Sequence, residues 1–379
     1  MTAARSVLFV HPADEAYGAD RILLLAADGL LARGWTVRVL LPDDVAPGWL
    51  SAQLTSRGIE TRRGPLGAAR RRYFTPTGVP RYIAELARAR RFVRRAAGRW
   101  APSVIHVNTT ALLVGAILGR PGGARLVWHV HEIVVRPRAI ATLFRVAPLA
   151  TADRVIAVSD AVSRWLGAVP FRRGRVTTIR NGIPHRPVDR AGRGDRPRVA
   201  YVGRLNRWKG YEVFIDAVAL LGARFPEVDF LVVGDPPPGE EWRRDDLDRM
   251  IAAAGIADRV EVLGFCDDVP ALLDTVDIVA VPSTWPDPLP TIVLEAMRAG
   301  CAVVASDHGG APEMIEDSRS GVLVPPGDAA ALADAVAALL RDDDRRVQMG
   351  ERAAERVASV FGVDRFVGDL VTVYDEVAR

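Results

Sequence analysis

The chain has 379 residues, of which 49% are hydrophobic and 25% are charged, a globular balance that excludes wholesale disorder. At roughly 150 residues per domain, this length favours two domains. The two cysteines, Cys266 and Cys301, exclude a disulfide framework and lack metal-site spacing, which predicts a cytoplasmic protein. The apolar runs are too short for a signal-peptide core or for a membrane-spanning helix of about 20 residues, so we expect neither.

The charge is unevenly distributed along the chain. Residues 1–185 carry 28 arginines and 11 acidic side chains, whereas residues 186–379 carry 22 basic and 35 acidic side chains. This asymmetry predicts an anionic partner for the first half. The Arg-rich segment 62–99 allows an amphipathic helix, which is either a docking surface for anionic lipid or for a lipid diphosphate acceptor, or simply a solvated helix. Its arginines are not interleaved with stacking aromatics, so we expect no nucleic-acid partner.

In the first half, short apolar runs alternate with helix patterns, as they do in parallel sheets. A helix is predicted over Ala19–Ala32 and ends near Gly34, a usual C-terminal signal. The predicted strands are Val7–Val10, Thr36–Leu41, Val104–Val107, Leu126–Val130, Val155–Val158 and Val176–Ile179.

The same alternation of strand and helix patterns resumes after residues 186–197. This stretch is rich in Gly, Pro and charged residues, as is typical of a linker. The predicted strands are Val199–Val202, Asp229–Val233, Val260–Leu263, Ile278–Val281, Ala302–Ala305 and Val322–Val324. The predicted helices include Tyr211–Leu221, Pro290–Ala299, Ala329–Leu340 and Asp344–Val360.

These patterns predict an α/β protein with two Rossmann-like, doubly wound domains that face each other across a cleft. The expected domains span residues 1–185 and 198–361, and a final helix in residues 362–379 is expected to pack back on the first domain. Ligands of such sheets bind beyond the carboxyl ends of the strands, so the residues that follow strands are the candidates for function.

One loop of the second half combines a glycine with two cations. Gly203 ends a predicted strand, and Arg204 and Lys209 follow it. Lys209 is the only lysine among 50 basic residues, and a compact ammonium at this edge indicates a phosphate contact. Taken alone, the loop fits a solvated basic loop equally well.

A second loop precedes a helix that begins near Pro290, a residue tolerated at the first helical position. The N–H groups of Thr291 and Ile292 would then form an anion site with the helix dipole. Asp287 and Glu295 lie eight residues apart, and carboxylates accept hydrogen bonds from sugar hydroxyls. The pattern indicates a sugar nucleotide, although Glu295 could also be a solvated helix residue.

Together with further segments, these motifs resemble the retaining glycosyltransferases of family 4, which have the GT-B fold and use nucleotide sugars. The segments that carry the resemblance are Gly203-Arg204-Leu205 with Lys209-Gly210, Asp287-x7-Glu295, Ala302–Ser306, Tyr17–Arg21, Arg180–Ile183, Leu263-Gly264-Phe265 with Asp268-Val269-Pro270, and Gly309–Glu313.

The resemblance implies a donor site in the second domain and an acceptor site in the first. Arg204 and Lys209 would stabilise the leaving diphosphate, while Asp287, in place of the usual glutamate, and His131 would contact the sugar. The remaining donor-binding residues would be Gly203 and Gly18 near the phosphates, Gly264 and Phe265 at the base, Glu295 at the ribose, and Leu289, Thr291 and Ile292. The acceptor side would include Asp20, Arg21, Asn108, His129 and Glu132. Asn108 could instead simply cap the next helix, and a core histidine bonded to the backbone is also possible at this strand end.

No metal or other cofactor is expected. His129 and His131 lie two residues apart on a strand end and point the same way, but no third ligand is evident. Two further functions stay open: a sugar-nucleotide epimerase on the same fold, and a non-catalytic protein that binds a sugar nucleotide or an anionic polymer.

Overall fold

A computed structural model describes residues 5–70, 73, 75, 77–167, 175–222 and 224–378. Arg71 and Arg72 of the Arg-rich segment lie outside the described residues. The chain divides into two compact units, which we call unit 1 (Met1–Gly182 and Val363–Arg379) and unit 2 (Ile183–Gly362).

Unit 1 contains a parallel sheet of seven strands in the order β3-β2-β1-β4-β5-β6-β7. The strands are β1 (Ser6–Val10), β2 (Thr36–Pro42), β3 (Glu60–Gly64), β4 (Val104–Val107), β5 (Arg125–Val130), β6 (Arg154–Ala157) and β7 (Val176–Thr178). The helices that alternate with them are α1 (Gly18–Ala32), α2 (Trp49–Ser56), α3 (Gly78–Trp100), α4 (Val114–Leu118), α5 (Arg138–Thr151) and α6 (Asp160–Leu166).

Unit 2 contains a parallel sheet of six strands in the order β10-β9-β8-β11-β12-β13. The strands are β8 (Arg198–Val202), β9 (Asp229–Val233), β10 (Val260–Gly264), β11 (Ile278–Val281), β12 (Ala302–Ser306) and β13 (Val322–Val324). The helices are α7 (Tyr211–Gly222), α8 (Trp242–Ala253), α9 (Val269–Leu273), α10 (Thr291–Arg298), α11 (Ala311–Met314), α12 (Ala329–Arg341) and α13 (Asp343–Val360).

The predicted α/β class with doubly wound sheets is confirmed, and each predicted strand agrees with an observed one to within one residue at either end. Strand β3 was not predicted, because its sequence Glu-Thr-Arg-Arg-Gly has no apolar alternation. It lies at the edge of the sheet, where charged side chains are tolerated, and Arg38 Nε on β2 donates to Glu60 Oε2 at 3.0 Å.

Residues 186–197 contain no helix or strand and pack on unit 2. Arg186 donates to the Asp274 carboxylate at 2.5 and 2.8 Å, and Arg193 donates to the carbonyl oxygen of Ala299 at 3.0 Å. These bonds hold much of the segment expected as a linker against the body of the unit.

The last helix, α14 (Val363–Ala378), belongs to unit 1 and completes its core. Phe366, Leu370 and Tyr374 are buried in the same apolar cluster as the residues of α1. The close approach of the two helices requires Gly29 of α1, because a Cβ there would lie 2.4 Å from Cγ2 of Val367.

Replacing Gly29 by alanine is therefore expected to lower the free energy of unfolding by about 1–3 kcal/mol, the usual cost of overpacking. Gly98→Ala in the exposed part of α3 is the matched control, since nothing lies within 4 Å of its Cβ position and alanine favours the helix by roughly 0.5–1 kcal/mol. Urea unfolding of both variants tests this contact. An equal change of the same sign in the free energy of unfolding of both variants would show that α14 does not need a glycine at position 29.

Both sheets reverse their strand order next to their first strand, between β1 and β4 in unit 1 and between β8 and β11 in unit 2. In doubly wound sheets, ligands bind beyond the carboxyl ends of the strands at this reversal. The loops that follow these four strands are therefore the candidates for a ligand-binding site.

Candidate active site

The loops at the carboxyl edge of the unit 2 sheet are joined by backbone hydrogen bonds. The N–H of Leu205, after β8, donates to the carbonyl oxygen of Asp235, after β9, at 3.0 Å. The N–H of Gly234 donates to the carbonyl oxygen of Gly264, at the end of β10, at 2.7 Å. The edge is therefore a continuous surface of backbone and short side chains, on which a ligand can lie.

Lys209 and Asp287 form an ion pair at this edge. Lys209 ends a short 3-10 turn that Asn206 caps, its side-chain oxygen accepting from the Lys209 N–H at 3.1 Å. Lys209 Nζ lies 2.5 Å from Asp287 Oδ2 and 4.5 Å from the centroid of the Trp208 ring. Asp287 is only 7% exposed, so its carboxylate holds the ammonium in one place.

Further bonds fix the loop after β8 against the loop after β11. Thr284 donates twice, from its N–H to the carbonyl oxygen of Trp208 and from its hydroxyl to that of Arg207, both at 2.9 Å. Tyr201 donates its hydroxyl to the carbonyl oxygen of Arg204 at 2.9 Å. The backbone that carries Arg204 and Lys209 is thus set before any ligand binds.

Two glycines allow this close packing. Gly210 has φ +76°, and a Cβ there would lie 1.9 Å from the carbonyl oxygen of Pro282. Gly309 has φ +62°, and a Cβ there would lie 2.1 Å from the carbonyl oxygen of Asp287. The N–H of Gly310 donates to that same Asp287 oxygen at 2.8 Å, so the loop after β12 supports the backbone of Asp287.

Replacing Gly309 by alanine is expected to displace Asp287 and to lower nucleotide affinity at least about tenfold, because the clash adds to the backbone strain. Gly327→Ala is the matched control, since Gly327 also has positive φ (+77°) but nothing lies within 4 Å of its Cβ position. Calorimetric titration with nucleotide sugars, the ligands that the sequence predicts, measures both variants. A similar affinity for the two would show that the contact with Asp287 is not needed for binding.

Helix α10 begins at Thr291, one residue later than predicted, because Pro290 is its N-cap with φ −65° and ψ 109°. The first N–H groups of a helix have no partner within the helix, and the helix dipole makes this end positive. Glu295 lies half-buried farther along the helix, and Leu289 before it is buried. Phe265 after β10 is 44% exposed, as a residue that stacks on a ligand would be.

In unit 1, four polar side chains at the carboxyl edge form one chain of hydrogen bonds. His131 Nε2 lies 3.1 Å from Asn108 Oδ1, and Asn108 Nδ2 lies 2.9 Å from His11 Nδ1. His11 Nε2 lies 3.2 Å from Asp20 Oδ1. His11 follows β1 and Asn108 follows β4, so the chain crosses the strand reversal of this sheet.

Three histidine rings pack against one another beneath this edge. The His129 ring is 4.1 Å from that of His131 and 5.2 Å from that of His106. The Tyr374 hydroxyl of α14 lies 2.6 Å from His106 Nδ1. Burial lowers the pKa of His106 and of His131 to about 3 and holds that of His129 well below its usual value, so all three rings are neutral at pH 7.

Several residues that were assigned to the acceptor side are buried in unit 1. Asp20, Asn108 and His129 are 2%, 4% and 2% exposed, and their neighbours are other protein groups. Glu132 accepts from the hydroxyls of Thr109 and Thr110, and burial raises the pKa of its carboxyl. Asn108 and Glu132 follow strands and His129 lies near the end of β5, whereas Asp20 lies in α1. Their contacts with an acceptor stay predictions.

The remaining predicted residues of unit 1 lie nearer the surface. Arg21 donates from Nε to the carbonyl oxygen of Ala16 at 3.0 Å, and its guanidinium lies 5.8 Å from the centroid of the Trp49 ring. Gly18 is the first residue of α1, and His131 keeps a partly exposed edge. These positions remain available to a ligand.

Three features of the site were not predicted. His11, Asn206 and Ser283 each follow a strand at one of the two reversals, and Ser283 is 3% exposed with no partner for its hydroxyl among the described residues. A search of all polar residues that follow predicted strands would have found the three. Their hydrogen-bond partners could not be read from the sequence.

Among the residues that the structure describes, no three His, Cys, Asp or Glu side chains come together as a metal site would require. In the same part of the chain, we find no helix with both the length and the apolar character needed to cross a bilayer.

Two family descriptions match the chain, and together they cover most of it. Residues 17–186 match Glycosyltransferase Family 4, and residues 188–356 match Glycosyl transferases group 1. The boundary between the two matches lies close to the boundary between units 1 and 2.

Among curated proteins, two relatives from Streptomyces kanamyceticus are informative. Alpha-D-kanosaminyltransferase is 36% identical over 191 residues, which are 50% of this chain and 48% of that protein. The chain thus spans about half the length of that relative. The 2-deoxystreptamine glucosyltransferase is 30% identical over 315 residues, which are 74% of this chain and 79% of that protein.

Among solved structures, Anabaena HepE in complex with UDP-glucose has a TM-score of 0.83 with 26% identity, and the match covers 98% of this chain and 99% of that one. Its similarity extends over both parallel sheets, as expected for the GT-B fold. On the strength of these matches, the chain belongs to the group 1 glycosyltransferases with the GT-B fold, and its first half to glycosyltransferase family 4.

Proposed function

We propose that this protein is a retaining glycosyltransferase that moves a sugar from a nucleotide sugar to a hydroxyl group of an acceptor. The observation that carries the proposal is the pair of Lys209 Nζ and Asp287 Oδ2, 2.5 Å apart, at the strand reversal of unit 2. A buried carboxylate that fixes an ammonium beside a helix N-terminus suits a diphosphate, with a sugar hydroxyl next to it.

In the proposed reaction, the bond between the anomeric carbon and the β-phosphate oxygen breaks while the acceptor oxygen bonds to the same face of that carbon. The acceptor proton passes to the departing phosphate, and the nucleoside diphosphate leaves. Arg204, Lys209 and the first N–H groups of α10 would stabilise the charge that develops on the phosphate. Unit 2 would thus bind the donor, and unit 1 the acceptor.

We propose that these cations make a metal ion unnecessary. Lys209 and Arg204 would supply the positive charge that a divalent ion supplies in other transferases. The rate is therefore expected to be unchanged when EDTA is added, and a loss that Mg²⁺ or Mn²⁺ restores would contradict this part of the proposal.

UDP-glucose is the first donor to test, because HepE is described in complex with it. An aminocyclitol such as 2-deoxystreptamine is the first acceptor, because a relative is named for its transfer of glucose to that compound. GDP- and dTDP-sugars complete the panel of donors. The shift in melting temperature ranks the donors by affinity, since a ligand at 100 times its Kd stabilises the folded protein by about 2.7 kcal/mol.

NMR of the reaction distinguishes the proposal from its alternatives. A transferase gives a new glycoside with the donor's anomeric configuration and releases the nucleoside diphosphate only when acceptor is present. An epimerase converts the sugar with donor alone, and a binding protein returns intact donor after long incubation. Either of the last two results, or an inverted product, would contradict the proposed function.

We further propose that α3 docks unit 1 on an anionic lipid surface. Arg81, Arg91 and Arg95 are exposed on this helix, and Val79 and Ile83 in its first two turns are 50% and 62% exposed. A basic amphipathic face of this kind binds anionic headgroups at about 1 kcal/mol for each arginine near the surface.

The double variant Arg91→Gln with Arg95→Gln is therefore expected to weaken binding to phosphatidylserine vesicles by about thirtyfold. Arg244→Gln with Arg249→Gln, on the polar helix α8 of unit 2, is the charge-matched control. Sedimentation with vesicles measures both. Equal binding to neutral and anionic vesicles, or equal losses in the two double variants, would contradict docking through α3.

A further inference from the structure

The chain of hydrogen bonds that joins Asp20, His11, Asn108 and His131 ends at a carboxylate oxygen of Asp20. This acceptor decides which group donates in each of the other bonds. Asp20 Oδ1 receives the N–H of Glu15 at 3.1 Å and lies 3.2 Å from His11 Nε2. A carboxylate oxygen only accepts, so His11 Nε2 is the donor of this contact and carries a proton.

The rest of the chain follows from that proton. His11 Nδ1 faces the amide nitrogen of Asn108 at 2.9 Å, and because an amide nitrogen only donates, this ring nitrogen accepts through a lone pair. The amide oxygen of Asn108 therefore faces His131, and it accepts from Nε2 at 3.1 Å. With the proton on Nε2, the Nδ1 of His131 carries a lone pair.

We propose that Asp20 is a positioning residue which, through His11 and Asn108, holds His131 as the neutral Nε2–H tautomer and leaves Nδ1 as a hydrogen-bond acceptor. The inference rests on the proposed function in one respect, that a sugar is transferred and that His131 contacts it, as the family resemblance implies. At that contact, the lone pair on His131 Nδ1 favours a sugar hydroxyl, which can donate to it, over a carboxylate, which cannot donate.

Several features of unit 1 support a fixed and neutral ring. Asp20, Asn108 and His11 are almost wholly buried, so water does not compete for their bonds. The His129 ring packs 4.1 Å from that of His131 and limits its rotation. Burial keeps the pKa of His131 near 3, so the imidazolium form does not interfere at neutral pH.

The test is the protonation pattern of the histidine rings in the full-length protein at pH 7.5, read from long-range ¹H–¹⁵N spectra and assigned by single replacements. We expect pyrrole-type Nε2 and pyridine-type Nδ1 signals for both His11 and His131. A protonated Nδ1 on either neutral ring would overturn the proposal.

Variants of Asp20 test its action at a distance. Asp20→Ala removes the terminal acceptor, so the His131 nitrogens are expected to move toward values averaged over both tautomers. Asp20→Asn keeps an acceptor oxygen and is expected to restore the wild-type pattern. Asp28→Ala, an exposed carboxylate of the same helix that pairs with Arg57 at 2.8 Å, is the control and is expected to leave His131 unchanged. A folded Asp20→Ala protein with wild-type His131 signals would overturn the proposal.

If Asp20→Ala does not fold, Asn108→Asp serves instead. An aspartate there accepts from both neighbours, so His11 is expected to become an imidazolium with two pyrrole-type nitrogens, while His131 keeps its proton on Nε2. A neutral His11 in that variant would overturn the proposal.

Kinetics add a second readout. Asp20→Ala, but not Asp20→Asn, is expected to lower kcat/KM for a UDP-hexose by about three- to tenfold, the usual effect of one hydrogen bond. A lack of transfer by the wild-type protein would contradict the proposed function alone, since the ring spectra decide the tautomers without substrate.

Discussion

Replacing Lys209 by alanine is expected to lower kcat on a nucleotide sugar at least about tenfold while the protein stays folded. A preorganised donor that stabilises a developing negative charge contributes about 10²–10³ in rate. Lys209 is preorganised by its 2.5 Å contact with Asp287 and by the Asn206 cap of its turn. Steady-state kinetics with the best donor of the panel measures the effect.

Arg207→Ala is the matched control, because Arg207 lies on the same turn but is exposed. We expect it to change kcat less than threefold. Lys209→Arg is informative as well, since a planar guanidinium cannot place its charge where a compact ammonium does, and only partial recovery is expected. Wild-type kinetics for Lys209→Ala would remove this residue from the mechanism.

Acidification from pH 7.5 to 5 is expected to destabilise unit 1 by about 2 kcal/mol for each of His106 and His131. The pKa of His106 and of His131 is about 3 in the folded protein because of burial, against about 6.5 in an unfolded chain. Between these values the unfolded state binds protons that the folded state does not. The free energy of unfolding therefore keeps its full value above pH 6.5, and the part that depends on these histidines is lost as the pH falls toward 3.

Urea unfolding at the two pH values measures this loss. His129→Leu is expected to reduce the pH dependence of the free energy of unfolding, because burial holds the pKa of His129 well below its usual value. His185→Gln, a replacement of an exposed histidine of unit 2, is the control and is expected to leave the dependence unchanged. The same pH dependence in wild type and His129→Leu would show that this ring does not titrate on unfolding.

The sequence was sufficient for the architecture because both sheets are buried and parallel, and such strands appear as short apolar runs. Helix ends were also readable: Gly34 follows α1, and Pro290 caps α10, although the proline stands before the helix and not in it. Strand β3 was not predicted, because an edge strand needs no apolar face and a sequence with two arginines is also typical of a loop.

The carboxyl edge of the unit 2 sheet was easier to predict than that of the unit 1 sheet. Lys209 and Asp287 lie 78 residues apart, yet each follows a strand at one reversal, and the order of strands brings them together. In unit 1 the strand ends located Asn108 and His129, and the family resemblance pointed to Asp20. Neither signal could show that the three side chains are buried or that His11 joins Asp20 to Asn108. Burial of a polar side chain depends on tertiary packing, here partly on α14 from the far end of the chain.

A crystal structure of the protein with UDP tests the central claim most directly, because it locates the diphosphate. Our account predicts phosphate oxygens within hydrogen-bond distance of Lys209 Nζ, of the Arg204 guanidinium and of the first N–H groups of α10. UDP bound elsewhere on the chain, with Lys209 still paired to Asp287 and no phosphate beside it, would contradict the account.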